Sequence, residues 1–278
     1  MAIRAFEPMG VGQILDRTFS LYREKFVRFI AIVAVVTVPV ALLSFAVTFV
    51  TARAGAGGPE AASAAVAARL LAGLPVLFLS IVAQNLCRAA LIKSVSGSYL
   101  GGDVGVGEAY KAVLPRLWTV IWASILVGVV VVIGLVLCVV PGVIFSLWLA
   151  VTTPAIIIEN LKATEGMGRS KALASGNLGR IFAVGLVVVL IAIIIGLVLG
   201  ALGGVIGKTL FSEAPMAAAF VHQLFSLVAQ VLAIPISATA FILVYYDLRI
   251  RKEGFDLEML AKSLAPGETP PAGRNPAA

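Results

Sequence analysis

From Ile181 to Gly207 the chain runs 27 residues without a charged or strongly polar side chain. That exceeds the roughly 20 apolar residues an α-helix needs to cross a hydrocarbon core about 30 Å thick. The stretch reads as a membrane helix, and it rules out any fold built for water alone. Within it Gly196, Gly200 and Gly204 recur every four residues, which places them on one helical face. Small residues at that spacing let a second helix approach closely in lipid, so this face is expected to carry helix packing.

Five more apolar runs accompany it, giving spans at about 27–50, 67–92, 118–140, 143–158, 181–207 and 219–246. Only 13% of residues are charged, about half the share in soluble proteins. The chain is therefore expected to be an all-α, polytopic integral membrane protein. Six transmembrane helices would be joined by short amphipathic helices on the cytoplasmic side. The membrane domain takes residues 1–264, and the Pro- and Gly-rich tail 265–278 cannot bury enough apolar surface to fold. Pro141-Gly142 predicts a tight turn between the third and fourth spans. Pro39, Pro75, Pro154 and Pro235 fall inside spans, where they either kink a helix or mark a broken one lining a binding site. Cys87 and Cys138 lie in apolar runs and read as small hydrophobes.

Charge sets the orientation. With six spans both termini share one side, and only Arg53, Arg69 and Lys208 of the 21 basic residues fall at the other. That asymmetry predicts cytoplasmic termini in a bacterial inner membrane. A charged segment too long for a signal-peptide n-region precedes the first span, so no cleaved leader is expected. The same positioning argues against nucleic acid as the partner behind the net charge of +7.

Before the first span, Val11, Ile14, Leu15, Phe19, Tyr22 and Phe26 recur at helical spacing among charged residues. They predict an amphipathic helix over 9–26. It either lies at the interface with its basic side toward anionic headgroups, or packs against the protein's own inner surface. Gly10-Val11-Gly12, Gly105-Val106-Gly107 and Gly166-Met167-Gly168 each open such a polar segment. Each segment leads to a basic residue (Arg28, Arg116, Arg180) beside an odd-numbered span. Three units are implied, each a short helix followed by a membrane hairpin.

Catalytic patterns do not assemble. Gly203 to Thr209 approximates a phosphate loop but has Leu202 where the first glycine belongs. His222 is the only histidine, and no metal or cofactor site is expected. The suggestive residues are charges at the inner ends of the even-numbered spans: Arg88, Glu159, Asp247, Arg249 and Arg251. A charge inside a span is costly unless paired or extended to the headgroups. Arg88 is thus expected either to pair with Glu159 or Asp247, pinning the even spans together, or to snorkel.

Three stretches carry a resemblance. They are Val11-Gly12-Gln13-Ile14-Leu15-Asp16-Arg17-Thr18-Phe19-Ser20-Leu21-Tyr22-Arg23; then Glu159-Asn160 with Gly166-Met167-Gly168-Arg169-Ser170, Leu173 and Gly176-Asn177; and Tyr245-Tyr246-Asp247-Leu248-Arg249-Ile250-Arg251-Lys252-Glu253-Gly254-Phe255-Asp256-Leu257. Together they resemble the membrane domain attached to some bacterial glycerophosphoryl diester phosphodiesterases, and related stand-alone six-helix proteins. The resemblance implies a non-catalytic membrane domain. The phosphodiesterase proper is a β/α barrel with two catalytic histidines and acidic metal ligands. A barrel needs about 250 residues, which this chain lacks along with the second histidine, so the activity does not carry over.

The expected function is a non-enzymatic membrane scaffold or accessory protein. Its cytoplasmic face would contact anionic lipid headgroups, a protein partner or a second copy. The alternative is a small-solute or lipid transporter, with Gln84, Asn85, Gln230 and Arg88 lining a path between Pro-broken helices. An intramembrane enzyme has no credible catalytic pair.

Overall fold

The computed structural model describes residues 8–54, 59–99, 102 and 104–254, and every regular element among them is helical. In chain order these are α1 (Val11–Glu24), α2 (Phe26–Ala54), α3 (Pro59–Tyr99), α4 (Val106–Val113), α5 (Leu117–Leu137), α6 (Val139–Trp148), α7 (Thr152–Glu159), α8 (Ala163–Ala174), α9 (Leu178–Leu210) and α10 (Pro215–Glu253). A single 3-10 turn, Leu114–Arg116, joins α4 to α5. Six helical stretches are long and apolar enough to cross a membrane. The chain is an all-α, multi-pass membrane protein. The proposed tail lies outside the described residues.

The three short helices start the same way. The N-cap backbone N–H of Gly10, Gly105 and Lys162 donates to the side chain three residues on: Gln13 at 2.7 Å, Glu108 at 3.0 Å and Glu165 at 2.9 Å. This is one half of a capping box. The repeat is therefore in the cap, and the third Gly-x-Gly is not equivalent to the other two. Gly166 lies inside α8, where a Cβ would collide with the Ile156 side chain of α7.

Proline has less effect than its number suggests. α2, α3 and α10 run unbroken through Pro39, Pro75 and Pro235. Pro141 and Pro154 sit in the first turns of α6 and α7, where the missing N–H costs nothing. The turn expected at Pro141-Gly142 falls instead at Cys138, an extended residue between α5 and α6. Gly142 serves the crossing just beyond it, since a Cβ there would sit 2.8 Å from the Leu135 backbone nitrogen. The fourth span is the broken one, divided between Trp148 and Thr152. Ser170 of α8 closes the gap: its hydroxyl donates to the Trp148 carbonyl at 2.8 Å and accepts from the Val151 N–H at 3.2 Å. Non-helical backbone at membrane depth persists only where protein satisfies it.

Packing follows a cyclic plan. Each hairpin (α2 with α3, α5 with α6–α7, α9 with α10) packs on itself, and α3, α7 and α10 also meet one another at the centre. Each short helix lies on the even span that precedes it: α4 on α3, α8 on α7, and α1 on α10. The last contact joins the two ends of the chain and closes the ring. α1 packs along α10, the first helix against the last. Met9 N–H bonds Asp247 Oδ1 at 2.8 Å and the Tyr22 hydroxyl bonds the Leu232 carbonyl at 3.4 Å, about four turns apart along α10. Of the two readings of this segment, packing on the protein's own surface is the observed one, with Ile14 and Leu21 buried.

The core is gathered at the end where the described chain begins and stops, the packed end. Burial is almost continuous from Ile236 to Ile250 on α10, from Ala89 to Ile92 on α3 and along α7. Toward the opposite end the helices present apolar side chains outward, with Leu70 and Leu197 each 67% exposed and Val136 82%. In water such surface would drive aggregation; in lipid it costs nothing.

Candidate functional site: two charge clusters at the packed end

α10 carries both clusters, because its last turns bring acids and bases onto several faces. The first is centred on Asp247, which is wholly buried. It accepts from the Met9 N–H at 2.8 Å, from Arg251 Nε at 3.0 Å and from the Arg180 guanidinium at 3.1 Å. Arg180 and Arg251 both also donate to the Met9 carbonyl. One residue before α1, Met9, is thus gripped at both its N–H and its carbonyl. The sequence places Arg251 one helical turn beyond Asp247, while Arg180 arrives from the start of α9.

The second cluster joins α7, α8 and α10. Arg169 Nε reaches both Glu159 oxygens at 2.8 and 3.0 Å, and its other edge forks onto Glu253, 2.7 Å from Oε2. Glu253 also accepts from Arg249 Nε at 3.2 Å, and the Tyr245 hydroxyl donates to Glu159 at 2.6 Å. Donating to Glu253, and also to Glu159, pushes the Arg169 guanidinium above its ordinary range despite partial desolvation. Bidentate pairs of this kind fix direction as well as charge. Every carboxylate oxygen in the two clusters has a donor, so what they do chemically is hold helices in place.

Arg88 takes no part. Glu159 is claimed by Arg169 and Tyr245, and Asp247 by Arg180 and Arg251, while Arg88 is exposed on the outer face of α3. The reason is azimuth: at this height the inward face of α3 carries Cys87 and Ala89 to Ile92, all buried. Arg88 does not pin the even spans as expected; Arg169 of α8 bridges α7 and α10 instead, through Glu159 and Glu253. Arg169, Arg180, Tyr245 and Glu253 were missed as site residues. Arg169, Tyr245 and Glu253 all lie in the stretches that carried the resemblance, and those stretches converge here.

The glycine face also shifts. Gly196 and Gly204 have nothing within 4 Å of a would-be Cβ, and Gly200 only His222 at 3.9 Å. The close approach of α9 to α10 runs instead through Gly203 and Gly207, where a Cβ would meet Phe225 and the Ala218 carbonyl at 2.8 Å each.

Polar groups suggested as a transport lining are spent or turned outward. Asn85 is buried, donating to the Ile81 carbonyl at 2.9 Å and accepting from Ser124 of α5. Gln84 and Gln230 are exposed.

One seam contact recurs. Arg116, at the start of α5, donates to the carbonyl of Leu161, just before the cap of α8; Arg180, at the start of α9, does the same to Met9, just before the cap of α1. Two of the three odd spans thereby hold the entry of the next unit's short helix.

Comparison with family models, with curated proteins and with solved structures returns no match to this chain.

Proposed function

We propose that this protein is a non-enzymatic scaffold or accessory protein of a bacterial cell membrane, with both termini in the cytoplasm. Its packed end would be the working surface. The observation carrying the reading is what the clustered polar groups do: Asn85 and Ser124 bond α3 to α5, and Glu159 and Asp247 are saturated by arginines from α8 and α9. The outward charge at that end is mixed, with Arg23, Lys93, Lys111, Lys162 and Lys171 exposed alongside the acids Asp16, Glu24, Glu108 and Glu165. Each basic residue near an anionic leaflet contributes about 1 kcal/mol of attraction. The resemblance to the phosphodiesterase membrane domain belongs to this proposal; phosphodiester chemistry does not.

The test uses the full chain in vesicles with spin-labelled lipids. Phosphatidylglycerol should associate with it more strongly than phosphatidylcholine, and replacing Arg23, Lys93, Lys111 and Lys171 by Gln should abolish the preference. Equal association of both lipids with the natural protein would sink the lipid part. Solute flux through these vesicles above that of empty ones would favour the transporter instead.

A further inference from the structure

Leu74, Leu77, Ile81, Gln84 and Arg88 follow at alternating spacings of three and four along α3, and all five are exposed. They form one outward stripe, apolar for most of its length and ending in a guanidinium. Arg88 has no hydrogen bond or ion pair among the described residues. Arg116, Arg169, Arg180, Arg249 and Arg251, by contrast, each have a partner within the protein.

Its depth makes this consequential. Ser124 on α5 lies about two turns inside Arg116, and it hydrogen-bonds Asn85, one turn from Arg88. Arg88 therefore stands roughly one and a half turns inside the level of Arg116. Trp118 and Trp122 are exposed on α5 across the same heights, 64% and 60%. Exposed tryptophans mark the zone where headgroups give way to acyl chains. A guanidinium there needs a counter-charge, and the described residues supply none. Headgroup phosphate is the anion within snorkelling reach.

We propose that Arg88 anchors a specific phospholipid site on the outer face of α3. The guanidinium holds the phosphodiester bidentately, as its planar fork allows. The acyl chains lie along Leu74, Leu77 and Ile81. The site rests on the lipid-contact reading above, but it depends on one residue rather than on summed surface charge. It recognises the phosphate and not the headgroup beyond it.

The experiment is native mass spectrometry of the full chain in detergent. Phosphatidylglycerol, phosphatidylethanolamine and a phosphate-free diacylglycerol glycolipid are titrated separately. The natural protein should retain one molecule of either phospholipid and not the glycolipid. Arg88→Gln should weaken that binding about tenfold or more, the ratio one charge-assisted hydrogen bond carries, and Arg88→Lys should weaken it less. Replacing Arg23, Lys93, Lys111 and Lys171 by Gln should leave this bound molecule in place, which separates the site from the surface-charge reading. Equal binding by Arg88→Gln, equal retention of the glycolipid, or displacement by inorganic phosphate would each overturn the proposal. Should Arg88→Gln not fold, phosphorus-to-carbon dipolar coupling in vesicles decides. With arginine Cζ labelled, a phosphorus within about 4 Å is expected in the natural protein and lost in Arg88→Lys; its absence from the natural protein refutes the site.

Discussion

Asp247 draws its donors from three places in the chain: the peptide before α1, the start of α9 and the next turn of its own helix. A buried carboxylate so surrounded contributes little net stability, yet removing it strands two guanidiniums. Asp247→Ala should therefore cost about 3–5 kcal/mol, read as a lower midpoint of unfolding in detergent. Glycine gives the sharper contrast at this scale. Gly207→Ala drives a methyl into the Ala218 backbone and should destabilise by about 1–3 kcal/mol. Gly196→Ala meets open space and should be neutral, or stabilising by up to about 1 kcal/mol through helix propensity. If the two behaved alike, the placement of the α9–α10 contact would be wrong.

Among the elements, the divided fourth span is the one whose integrity depends on another helix. α6 and α7 are joined across Leu149 to Val151 by the Ser170 hydroxyl. Ser170→Ala would leave the part-buried Trp148 carbonyl and the buried Val151 N–H unmet, the latter alone at about 1–3 kcal/mol. Hydrogen exchange at Val151 should quicken in that variant, while exchange in α9 and α10 stays unchanged. Unchanged protection at Val151 would show that the hydroxyl is not what seals the break. The existence of the span was plain from its apolar run. Its division was not, because Pro154, the residue suggesting a break, lies just inside α7 and α8 supplies the missing bonds.

For the whole molecule, the contact between α1 and α10 turns a linear array of three units into a ring. A ring tolerates moving its opening. Joining Gly254 to Pro8 through a short flexible linker and opening the chain between Tyr99 and Val104 should give a folded protein, since that seam corresponds to the natural one. Its unfolding midpoint in detergent should lie within a few degrees of the natural chain's; loss of folding would argue against equivalent seams. Separately, a reporter fused after Ala278 should be active in the cytoplasm, and activity outside the cell would reverse the orientation.

Apolar length alone decided that the chain crosses the membrane and where, because twenty uncharged residues leave a helix no other stable environment. The short helices were legible from their polar spacing, but the caps were not: a side chain three residues on sets each start, and the third lies at Lys162 rather than Gly166. Which charges pair was beyond the sequence. Arg88 and Arg169 are both arginines near a span's end, and only the rotation of each helix about its axis sends one outward to lipid and the other to Glu159. The same rotation chose Gly203 and Gly207 over Gly196 and Gly204. Spacing gives the angles between residues on one helix; the absolute direction of that helix is fixed by its neighbours, which only tertiary packing supplies.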